Sequence, residues 1–163
     1  MVLLTLWTLY YAYAFVWGLF DARFMDLNRL PSIYGLTADD MTPAARNTVF
    51  FAWLPTTLGG LAGFIFGIIG AYNVYQGRMF DPSALWPVVA IGIATCFSIV
   101  TGLVGYNLEL DAMWPLMGRD PATRPYYWTQ VEIAVFFFGL GFILLGFLQI
   151  EATKILKENK EFI

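Results

Sequence analysis

Histidine is absent from this 163-residue chain and cysteine occurs once. The first absence excludes bis-histidine haem, copper sites, the common zinc sites and imidazole acid–base catalysis. The second excludes iron–sulfur clusters, thiolate zinc sites and any intramolecular disulfide. Charge is also scarce: 13% of residues are Asp, Glu, Lys or Arg, about half the share usual in a soluble domain. The net charge of −3 is dispersed, so no basic patch is available for nucleic acid. Neither a Gly-x-Gly-x-x-Gly turn nor a P-loop occurs, which leaves no nucleotide signature.

What the chain does have is apolar length. Hydrophobic residues make up 59% of it, and they fall into four stretches of about twenty residues free of Lys and Arg, each long enough to cross a bilayer core of about 30 Å as a helix. The expected fold is therefore an all-α membrane protein, an antiparallel bundle of four transmembrane helices with short loops. Residues 1–163 form a single transmembrane domain, with helices at about 2–29, 43–75, 82–106 and 129–158. Met1 leads directly into VLLTLWTLYYAYAFVWGLF without a basic flank or a cleavage site, so this stretch is expected to persist as a helix. Phe20, Phe24 and Leu27 extend it along one face, and Pro31 stops it.

The second and third helices start alike, Thr42 before Pro43 and Asp81 before Pro82, each a cap followed by a proline suited to the first helical position. Pro55 predicts a kink one turn inside the second span. Residues 107–127, with Pro115, Pro121 and Pro125, read as a shaped, non-helical loop. Thr129 and Glu132 form a capping-box pattern that opens the fourth helix. Trp86, Trp114 and Trp128 lie near expected helix ends, where indole favours the headgroup level. Four spans put both termini on one side. Lys154, Lys157 and Lys160, close behind the last span, assign that side to the cytoplasm or its equivalent.

Small residues recur every four positions: Gly59, Gly63, Gly67 and Ala71 along the second helix, and Ala90, Ala94, Ser98 and Gly102 along the third. In lipid such ladders let helix backbones approach closely, and the two are expected to pack as an antiparallel hairpin or, alternatively, to present one ladder to another subunit. Tyr10, Tyr11 and Tyr13, with Phe136, Phe137 and Phe138, crowd their helices with aromatic rings and hint at contact with further protein chains or lipid. Cys96, in the middle of an apolar run, is expected to pack as a small apolar residue.

Carboxylates are the remaining chemical candidates. Glu132 reads either as a buried relay group or, with the stronger case, as the reciprocal member of the cap. Glu109 and Asp111 supply two oxygen ligands where a hard cation needs five or six, and are expected to be solvated. Asn73 and Asn107 read as helix C-caps. With no catalytic, cofactor-binding or metal-ligating set, the expectation is a non-catalytic accessory or structural subunit of a multi-subunit integral membrane complex. Respiratory, photosynthetic or membrane-oxygenase assemblies of energy metabolism and electron transport are natural hosts. Its partners would be other integral membrane subunits and lipids, not nucleic acid, and no cofactor would be bound by this chain alone, although lipid or quinone could lie at its surface. The alternative is a small homo-oligomeric transporter or channel.

Overall fold

The computed structural model describes residues 35–36, 38–78, 81–126 and 130–161, together with Leu6, Tyr10 and Tyr13. The expected first helix, about 2–29, lies outside the described residues except for those three, which are helical and exposed. The same holds for the Thr129 cap and for Trp128. Among the described residues the architecture is all-helical, with three long helices: α1 (Pro43–Tyr75), α2 (Pro82–Met113) and α3 (Gln130–Glu161). All three are long and apolar enough to cross a membrane.

Local chemistry sets the starts of α1 and α2. The Thr42 hydroxyl accepts from the Ala45 N–H at 3.2 Å, and Pro43 supplies a first residue with no N–H to satisfy. The Asp81 carboxylate accepts from the Ser83 N–H at 3.1 Å ahead of α2. Both helices run on through their internal prolines, Pro55 and Pro87. Between them the chain turns at Gly77, whose φ of +71° is a conformation that glycine adopts without steric cost. Arg78 pairs with Asp81 at 3.0 Å across this turn.

Hydrogen bonds from Arg78 and Ser83 hold the Asp81 carboxyl down at about 2. A depressed carboxylate stabilises the fold fully above its ordinary value of 3.8, and that contribution disappears as the pH falls from there through about 2. The expected result is an Asp81 carboxyl midpoint near 2 by NMR titration that returns towards the ordinary value in Arg78→Gln. An unshifted midpoint in the unaltered chain would contradict the pairing.

The end of α2 departs from the expected boundary. The chain from Asn107 to Met113 is helix rather than loop, and the prolines act only afterwards. Tyr106, Leu110 and Met113 recur at helical spacing and pack in one apolar cluster with Leu36, Met41, Ala45 and Val49. Pro115 and Pro121 then each open a short 3-10 turn, Pro115–Met117 and Pro121–Thr123. Asn73 and Asn107, read as caps, consequently sit inside their helices. The Asn73 side-chain amide donates to the Ala84 carbonyl of α2 at 3.1 Å, and that of Asn107 donates to the Leu103 carbonyl at 2.8 Å.

α2 is the central element. α1 packs against it and so does α3, both antiparallel to it, as the pairs Gly105 with Ala52, Gly63 with Ala94, Gly92 with Gly139 and Gly146 with Val89 show. At about 1.5 Å per residue, helices of 32–33 residues reach close to 50 Å, well beyond a hydrocarbon core of about 30 Å. Where α1 begins and α2 ends, Leu36, Met41, Ala45, Val49, Leu110 and Met113 form an apolar core, with Met113 fully buried.

Candidate functional site

The α1–α2 contact is a column of small residues. A Cβ on Gly105 would stand 2.5 Å from the Ala52 carbonyl oxygen, so the two backbones touch there. One step along, Gly102 faces Thr56, and the Thr56 hydroxyl donates to Thr101 Oγ1 at 3.1 Å. Next, Gly59 is buried against Ser98 and Phe97, and Gly63 faces Ala94 at 3.7 Å. Gly67 has no described residue within 4 Å of a Cβ position. Ala71 and Ala90 are half-buried. Thus Gly59, Gly63, Ala94, Ser98 and Gly102 line one hairpin interface.

A second column joins α2 to α3. A Cβ on Gly92 would come within 2.6 Å of the Gly139 carbonyl oxygen, and one on Gly146 would come within 2.5 Å of Val89. Gly139 seats Cys96, whose thiol faces the Phe136 carbonyl at 3.6 Å. The four-residue spacing did not single out these residues. Gly139 and Gly146 are seven apart, two helical turns, and that repeat was the available signal.

Polar chemistry concentrates where α1 and α2 meet beside the apolar core. Glu109 is 3% exposed, and its Oε2 accepts the Trp53 indole N–H at 2.6 Å. This overturns the reading of Glu109 as solvated. It lies seven residues beyond Gly102, so it continues the face of α2 that meets α1. Asp111, two residues on, points elsewhere because a two-residue step rotates about 200° around a helix. Its carboxylate pairs with Arg124 at 2.6 Å. Arg124 also donates to Asn107 Oδ1 at 3.1 Å and lies over the Tyr126 ring at 4.8 Å. Glu109 and Asp111 therefore do not converge on a common point.

The loop after α2 is held in the same manner. The Trp114 indole donates to the Asp120 carbonyl at 2.9 Å, and the Arg119 guanidinium sits 4.7 Å above the Trp114 ring. Glu132 is half-buried near the start of α3, in a first turn whose Thr129 lies outside the described residues. Among the described residues no group of three His, Cys, Asp or Glu side chains is placed to hold a metal ion. Chemically, then, the site is a buried carboxylate bonded to an indole across a helix crossing. No protein-family model matches the sequence, and neither the curated proteins nor the solved structures contain a significant match to it.

Proposed function

We propose that this chain is a non-catalytic accessory subunit of a multi-subunit integral membrane complex, of the respiratory, photosynthetic or membrane-oxygenase kind. One observation carries this reading: among the described residues, Thr57, Thr95, Thr101 and Ser98 direct their hydroxyl protons to helix backbone carbonyls rather than to a path. Thr57 donates to the Trp53 carbonyl at 3.0 Å, Thr95 to Ile91 at 2.8 Å and Thr101 to Phe97 at 2.8 Å. Ser98 donates across the interface to the Thr56 carbonyl at 3.3 Å. A transporter needs polar groups turned towards its substrate, whereas these serve their own helix backbones or the neighbouring helix.

In this reading residues 2–29 contribute a fourth span, so that both termini and the Gly77 turn share the cytoplasmic side, and the apolar core where α1 begins and α2 ends lies towards the opposite side. Other membrane subunits and lipids cover the outer apolar faces, and any quinone binds at the surface. Redox cofactors belong to the partner chains. Extraction in a gentle detergent followed by native mass measurement tests the proposal. Co-migration with cofactor-bearing chains is the expected result. A particle made only of this polypeptide would replace it with the homo-oligomeric transporter or channel.

A further inference from the structure

We draw no further inference here: the strongest candidate, the buried Glu109 carboxylate that accepts the Trp53 indole N–H at 2.6 Å where α1 and α2 meet, belongs to the site already described.

Discussion

Replacing Gly105 by alanine is expected to destabilise the α1–α2 hairpin by about 1–3 kcal/mol, and replacing it by leucine by more. The reason is what the new carbon would meet. Its neighbours are the Ala52 carbonyl oxygen at 2.5 Å and carbonyl carbon at 3.1 Å, which are backbone atoms of a helix and cannot rotate aside. The helices must separate, and in lipid close contact is the main force joining them. Gly92, against the Gly139 carbonyl, should behave in the same way at the α2–α3 contact. Gly67→Ala is the control. With no described residue near its Cβ position, it should be neutral or slightly stabilising, because alanine favours a helix by up to about 1 kcal/mol over glycine. Thermal unfolding in detergent would rank the three. If Gly67→Ala lost as much stability as Gly105→Ala, the assignment of the contact column would fail.

The second large effect is expected at Trp53. Phenylalanine keeps most of the ring but removes the indole N–H that Glu109 accepts at 2.6 Å. An intramolecular hydrogen bond contributes about 0.5–1.5 kcal/mol net. Trp53→Phe should therefore lose stability in that range. Glu109→Met removes the acceptor and keeps the side chain's length. The decisive measurement is the double-mutant cycle. Once both partners are apolar, the double variant should lose clearly less than the two single losses together, with a coupling above about 0.5 kcal/mol. Additive losses would mean that the bond contributes nothing to joining α1 and α2.

Much of the helical layout was legible because it depends on local chemistry. Thr42 with Pro43 and Asp81 with Pro82 mark helix starts through a side-chain oxygen and a missing N–H, and neither effect needs a distant residue. The boundary at residue 106 failed for a related reason. Prolines at 115, 121 and 125 drew the whole preceding segment into a loop, although Leu110 and Met113 keep the helical period and are buried. Glu109 was misplaced with them. A carboxylate in an apparent loop reads as solvated, and only the continued helix carries it into the interface beside Trp53.

Sequence by itself determined the apolar helices and the inventory of side chains. Uncharged apolar stretches of about twenty residues suit helices, which satisfy every backbone N–H and C=O within their own segment. The missing histidines and the lone cysteine set limits on chemistry without reference to any fold. Tertiary structure decided which faces meet. A glycine every four residues fits several helix partners, and whether Gly105, Gly92 or Gly67 touches anything depends on how α2 is placed between α1 and α3. Close packing is a property of pairs of surfaces, and a single chain of letters specifies only one surface at a time.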